Sequence, residues 1–211
     1  MNSCDNTVNA ILKHRLSAII RTTDEDLARQ AMTAAVRGGF RIVEFTMTTP
    51  GALKLIEEFS EKDDLIVGAG TVLTKDDARD AVSAGARFLV SPIFDPVIVA
   101  EAAILDAASI PGTQTPTEME FAHRSGADFV KLFPAPGIPV QEFIQAVLGP
   151  LPHLRIYPTA GVSSENVAAV LRAGAAGAGF VRSLFQPELM KTKDTNAIEQ
   201  KAVEIIRSAG L

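Results

Sequence analysis

Tryptophan is absent from this chain, and tyrosine and cysteine each occur once. So few polar aromatics disfavour a base-stacking nucleic-acid surface. The lone cysteine, Cys4, has no intrachain partner for a disulfide. That fits a reducing cytosol and makes Cys4 a bystander rather than a nucleophile. No uninterrupted apolar run approaches the roughly 20 residues of a membrane-spanning helix. The opening residues, Met1 to Asn6, lack the charged start and apolar stretch of a secretory leader, so a cytoplasmic protein is expected. No G-x-G-x-x-G loop opens a helix, which disfavours a dinucleotide-binding sheet.

What is present is a chain of 211 residues, 47% hydrophobic, with a net charge of -5. That size suits one domain over residues 1–211 with a sizeable core. The negative balance argues against nucleic acid or an anionic membrane as partner and leaves anionic small molecules open. Short apolar runs predict strands at Leu16–Arg21, Arg41–Thr46, Leu65–Ala69, Arg87–Ser91, Ala107–Ile110, Asp128–Phe133, Leu154–Pro158 and Ala175–Phe180. Helical patterns follow them at 24–38, 50–60, 75–84, 95–106, 116–125, 139–148, 163–173 and 195–208. Eight such units predict an α/β fold, the (β/α)8 TIM barrel, with Val8–Arg15 as an extra N-terminal helix. Thr49-Pro50 and Thr115-Pro116 read as N-caps before an N1 proline, the second inside a capping box with Glu118. Gln186–Asn196 reads as a loose segment.

Lys131 lies in Asp128-Phe129-Val130-Lys131-Leu132-Phe133-Pro134. Alternation puts Phe129, Lys131 and Phe133 on one face and Val130 and Leu132 on the other. An ammonium between two phenylalanines is poorly solvated, and a neutral lysine is a nucleophile toward carbonyls. A snorkelling or ion-paired lysine at a strand end remains an open alternative. In the second strand, Ile42, Glu44 and Thr46 share a face, opposite Val43 and Phe45. If Val43 and Phe45 pack under helices, Glu44 points into the barrel. Strands two and six lie across such a barrel from one another, so a carboxylate and an amine face each other inside it. They make either a structural ion pair or an imine-forming lysine with a proton-carrying glutamate. Buried ion pairs contribute little net stability, which favours the second.

Other candidates lie at the C-terminal strand ends, where such barrels place their active sites. Gly68 to Thr71, Ser91-Pro92 and Pro111 to Thr115 follow strands three, four and five; turn chemistry alone also explains them. Pro158 to Ser164 and Gly177 to Ser183 follow strands seven and eight, the usual phosphate loops. A helix start near Ser163 would favour an anion, with Arg21 and Arg182 adding charge-assisted bonds.

The blocks Ile42 to Thr46, Val67 to Leu73, Val90 to Pro92, Ile110 to Gly112, Thr115 to Glu118, Val130 to Ala135 and Pro158 to Val162 occur in order along almost the whole chain. On these blocks the chain resembles the 2-keto-3-deoxy-6-phosphogluconate and 4-hydroxy-2-oxoglutarate aldolases, class I enzymes dependent on pyruvate. The resemblance implies a homotrimer with no metal or other cofactor, and a covalent imine through Lys131. Glu44 would be its acid/base, and Thr71, Pro92 and Phe133 would line the keto-acid pocket. Thr48 stands where members acting on the gluconate-derived substrate commonly carry arginine. The galactonate-derived branch tolerates a neutral residue there, and its strand-one arginine and Ala-Gly-containing last strand match Arg21 and Ala176 to Gly179. In the phosphate loops, Thr159, Gly161 and Gly179 are retained. Ala160 replaces a second glycine, and Phe180 replaces glycine or serine and is expected to crowd the anion.

The implied reaction cleaves a 2-keto-3-deoxy sugar acid, 6-phosphorylated, to pyruvate and an aldehyde such as glyceraldehyde 3-phosphate. The same lysine would serve 4-hydroxy-2-oxoglutarate cleavage or oxaloacetate decarboxylation. An isomerase or epimerase without covalent catalysis would need inward metal ligands or a second acid/base, which His14, His123 and His153 are not positioned to supply. A non-catalytic binding or scaffold barrel is the remaining alternative.

Overall fold

A computed structural model describes residues 3–211. Met1 and Asn2, which open the stretch read for a leader, lie outside the described residues. Ten helices and nine strands follow in the order α1 (Ser3–His14), β1 (Leu16–Ile20), α2 (Glu25–Arg37), β2 (Ile42–Thr46), α3 (Ala52–Ser60), β3 (Ile66–Gly70), α4 (Lys75–Ser83), β4 (Phe88–Val90), α5 (Pro96–Ile104), β5 (Ala108–Ile110), β6 (Gly112–Thr113), α6 (Pro116–Arg124), β7 (Val130–Leu132), α7 (Val140–Leu148), β8 (Ile156–Pro158), α8 (Val167–Arg172), β9 (Ala178–Phe180), α9 (Pro187–Thr192) and α10 (Thr195–Ala209). None of the described helices is long and apolar enough to cross a membrane.

The strands form an α/β architecture with two parallel sheets. One has six strands in the order β5-β4-β3-β2-β1-β9, and the other has three in the order β6-β7-β8. The fifth strand, expected at Ala107–Ile110, forms as β5, and an unexpected short strand, β6, follows it. Pro111 has no N–H to give a ladder, so β5 ends before it and β6 begins after it. Strand β7 nevertheless bonds on both sides of the break: Phe129 N–H donates to Ser109 O at 3.2 Å and Lys131 N–H to Pro111 O at 2.8 Å. At the other margin, Ala176 N–H donates to Ile156 O at 2.9 Å, tying the lead-in of β9 to β8.

Strand alternation sorts the apolar residues into two clusters. Val43, Phe45, Val130 and Leu132 pack outward under the helices. Ile42, Ile66, Phe88, Val90, Ile110, Phe129 and Tyr157 form an inner cluster that Val8 and Ile11 of α1 join. Helix α1 therefore covers one end of the inner cluster. It spans Ser3–His14 rather than Val8–Arg15.

Three local expectations are corrected. Thr49 does not cap α3; the N-cap is Gly51, and the Thr49 hydroxyl instead meets that of Thr46 at 3.0 Å. The segment read as loose contains α9, which opens on Pro187 at its first position. Helix α8 starts at Val167, not at 163. Ser163 N–H donates to Asn166 Oδ1 at 2.9 Å and Asn166 Nδ2 donates to Gly161 O at 2.8 Å. These side-chain bonds hold the chain in a turn and postpone the helix. The capping box at Thr115 and Glu118 forms as expected, and Thr74 with Asp77 forms a second one.

Candidate active site

Strand β2 delivers Glu44 and β7 delivers Lys131 to one cavity of about 410 Å3. Both side chains are buried, at 3% and 7% exposure. Among the described residues no hydrogen bond or ion pair joins them, so the ammonium nitrogen and carboxyl oxygens are more than 4.0 Å apart. The Lys131 nitrogen lies 4.9 Å from the centre of the Phe133 ring. Burial pulls the Lys131 pKa below the ordinary lysine value; Glu44 opposes the shift and Arg21 adds to it. Burial raises the Glu44 pKa to about 7, against the pull of Lys131 and Arg21. Both groups are thus moved toward their neutral forms, which suits an amine nucleophile and an acid/base near neutral pH. Room for the carboxyl comes from β3: a side chain at Gly70 would occupy the place of Glu44 Oε1.

Around this pair the cavity is lined by Phe133 from the end of β7, Thr159, Ala160 and Gly161 after β8, and Gly179 with Arg182 at β9. Arg21 reaches it from the end of β1. Its guanidinium donates to Thr71 Oγ1 at 3.2 Å, and Thr71 sits at a left-handed φ of 60°. Neither Arg21 nor Arg182 has an ion-pair partner among the described residues, and both line the cavity. Such a rim suits an anionic ligand.

Several expected residues fall elsewhere. Phe180 points away from the cavity and is fully buried in the outer core, edge-on to Phe40 with ring centres 5.9 Å apart. It cannot crowd an anion: Gly179 faces inward, so its neighbours Ala178 and Phe180 face outward. Thr48 is exposed and meets Thr46 through its hydroxyl at 3.1 Å, outside the cavity lining. Thr71 contributes through Arg21, and Pro92 lies beside Gly112 rather than on the cavity wall. The helix N-terminus expected near Ser163 is not there, since that N–H is taken by Asn166.

The sequence reading missed Ile19 of the lining; Val162, Val181 and Ser183 lie in the two loops it singled out, without being named as site residues. Ile19 had a signal, being two residues before Arg21 on the same strand face. Also missed was Ser17, on that face below Ile19.

Fold and site define an α/β enzyme-like cleft with a desolvated lysine and a raised carboxyl at its base. The chain belongs to the KDPG and KHG aldolase family, whose model matches residues 8–201. It is 38% identical over 136 residues to the 2-dehydro-3-deoxy-phosphogluconate aldolase of Treponema pallidum, across 64% of this chain and 65% of that protein. It is 31% identical over 179 residues to a protein of Rhizobium meliloti named "Probable 2-dehydro-3-deoxy-6-phosphogalactonate aldolase", across 83% of this chain and 84% of the relative. Among solved structures, one described as "Native KDPGal structure" superposes with a TM-score of 0.83 at 27% identity, covering 92% of this chain and 93% of the other. KDPG aldolase from Legionella pneumophila, with pyruvate captured as a covalent carbinolamine, has a TM-score of 0.83 at 26% identity, covering 94% and 97%.

Proposed function

We propose that this chain is a class I aldolase, a carbon–carbon lyase that cleaves a 6-phosphorylated 2-keto-3-deoxy sugar acid to pyruvate and an aldehyde such as glyceraldehyde 3-phosphate. The observation that carries this is the placement of Lys131 and Glu44 on one cavity, both desolvated and not ion-paired to each other. Neutral Lys131 attacks C2 of the keto acid. Glu44 carries protons as the carbinolamine forms and loses water. The protonated imine then draws in the electrons of the C3–C4 bond while the C4 hydroxyl proton passes to Glu44, directly or through water. The aldehyde leaves, the enamine is protonated, and hydrolysis returns pyruvate and the free amine. No metal enters these steps.

Arg21 and Arg182 take the anionic groups of the substrate, and Phe133, Thr159, Ala160, Gly161 and Gly179 surround its carbon chain. The neutral, exposed Thr48 and the inward Arg21 support the galactonate epimer over the gluconate one. A second reading, 4-hydroxy-2-oxoglutarate as substrate, is supported by the phosphate loop. Ala160 carries a Cβ there, and α8 begins only at Val167.

The two sheets are read as one closed eight-stranded barrel in which β5 and β6 are halves of one strand. The bonds from Phe129 and Lys131 across the break, and from Ala176 to Ile156, support it. The described chain then makes one domain. A homotrimer is supported by the outward face of α5, which exposes the apolar Val97 and Ile104. A cytoplasmic setting is supported by the lone free cysteine.

The test is incubation with pyruvate and sodium borohydride, followed by peptide mass spectrometry. A reduced pyruvyl adduct on Lys131 is expected. Folded protein with Lys131 unmodified would reject imine chemistry and revive the non-catalytic barrel. A kinetic screen of the two epimers and of 4-hydroxy-2-oxoglutarate then selects the substrate.

A further inference from the structure

Beneath the open cavity lies a second, closed one of about 10 Å3, room for one water centre. Its polar lining includes Ser17 from β1, Glu44 from β2, and Tyr157 and Thr159 from β8 and its end. Lys131 does not line it, whereas Glu44 and Thr159 line both cavities and so form the partition between them. Ser17 is 2% exposed and Thr159 is 8% exposed. Their hydroxyl oxygens are the two buried side-chain polar atoms without a hydrogen-bond partner among the described residues. Buried hydroxyls are almost always satisfied, so two orphans facing one cavity point to a shared ligand that donates and accepts. Gly179 helps keep the space: a Cβ there would sit 3.2 Å from Ser17 Oγ and 3.0 Å from Thr159 Cγ2. The Tyr157 hydroxyl donates to Arg15 O at 3.0 Å and lies beside Ser17, whose polar groups favour its ionised form, without closing a hydrogen bond to the Ser17 hydroxyl.

We propose that Ser17 and Thr159 hold a buried water beneath Glu44, and that this water donates to the Glu44 carboxylate and positions it for proton transfer. The two hydroxyls and the carboxyl give the water three partners, within the two to four that buried waters normally have. The position is on the far side of the carboxyl from Lys131, so the water supports Glu44 without competing with substrate. Three titratable or charged groups face Glu44 from the surrounding elements: Lys131 on β7, Arg21 at the end of β1 and Tyr157 on β8. None of them hydrogen-bonds to it. The water would be the one direct donor from below. A donor to the ionised form favours that form, so losing it raises the carboxyl's midpoint further. Ser17 is a positioning residue in this scheme, acting through the water.

The positioning role rests on the aldolase reading; the water site does not. The test combines high-resolution diffraction of the wild-type protein with infrared titration of the Glu44 carboxyl band, assigned by its loss in Glu44→Gln. Density within hydrogen-bond distance of both Ser17 Oγ and Thr159 Oγ1 is expected. Ser17→Ala is expected to move the Glu44 midpoint to higher pH by about half to one pH unit, and the acid limb of kcat with it. Ser17→Thr, which keeps the hydroxyl, is expected to hold the wild-type midpoint. A dry cavity in the wild type, or an unmoved midpoint in folded Ser17→Ala, overturns the proposal. Should Ser17→Ala fail to fold, the wild-type density decides. A protein that shows the density and the shifted midpoint but forms no pyruvate adduct on Lys131 would reject the aldolase and leave the water site standing.

Discussion

Glu44 Oε1 occupies the space that a side chain on Gly70 would fill. The carboxyl of the proposed acid/base is therefore shaped as much by a missing Cβ on β3 as by β2, which carries it. Gly70→Ala is expected to push the carboxyl out of line with the cavity. We expect kcat to fall about 10²-fold, within the range of a lost general acid/base. Borohydride trapping on Lys131 should persist at a reduced rate, which separates this effect from loss of the nucleophile.

Lys131→Met is expected to abolish turnover and trapping while leaving the fold intact. A buried amine with no ion-pair partner contributes little net stability, and an apolar side chain of similar volume replaces it well. The thermal midpoint should stay level or rise. A fall of several kcal/mol in unfolding free energy would instead assign Lys131 a structural role.

Glu44 also sets a pH dependence of stability. Its folded-state pKa, about 7, lies above the ordinary glutamate value of 4.5. Between those values the folded protein holds more protons than the unfolded chain, so stability falls as pH rises through the window. Glu44→Gln removes this term. The variant is expected to match the wild type near pH 4.5 and exceed it at pH 8 by an amount on the order of 3 kcal/mol. Denaturant titrations at the two pH values check it, and the wild-type acid limb of kcat should fall near pH 7.

Arg21→Gln and Arg182→Gln are each expected to raise KM by about 10-fold or more, since each removes a charge-assisted bond to an anionic group. The two need not act on the same end of the substrate. If Arg182 faces the distal anion, its replacement should leave pyruvate trapping unchanged while weakening binding of the phosphorylated substrate. Measuring KM for phosphorylated and unphosphorylated keto acids in both variants assigns the ends.

The face of each strand was legible wherever large and polar residues alternate. Ile42-Val43-Glu44-Phe45-Thr46 and Phe129 to Phe133 carry that contrast, and Glu44 and Lys131 fall on the expected side. Ala176-Gly177-Ala178-Gly179 carries none, and the side that Phe180 takes could not be read from it. Pro111 was visible, but the short strand β6 that follows it was not. The true start of α8 depends on Asn166 reaching back to Gly161, and the orphaned hydroxyl of Ser17 on what lies across the interior. Such pairings join distant or bent segments, which local periodicity does not encode.

Helix α1 covers the inner cluster with Val8 and Ile11, at the end away from the strand tips that carry Arg21 and Phe133. The cleft is thus a cul-de-sac with one doorway. Under the proposed reaction, the half of the substrate tethered to Lys131 would lie toward the closed end and the free half toward the opening. Substrate and both products would share that opening, and the untethered aldehyde would be free to leave while pyruvate is still held on Lys131.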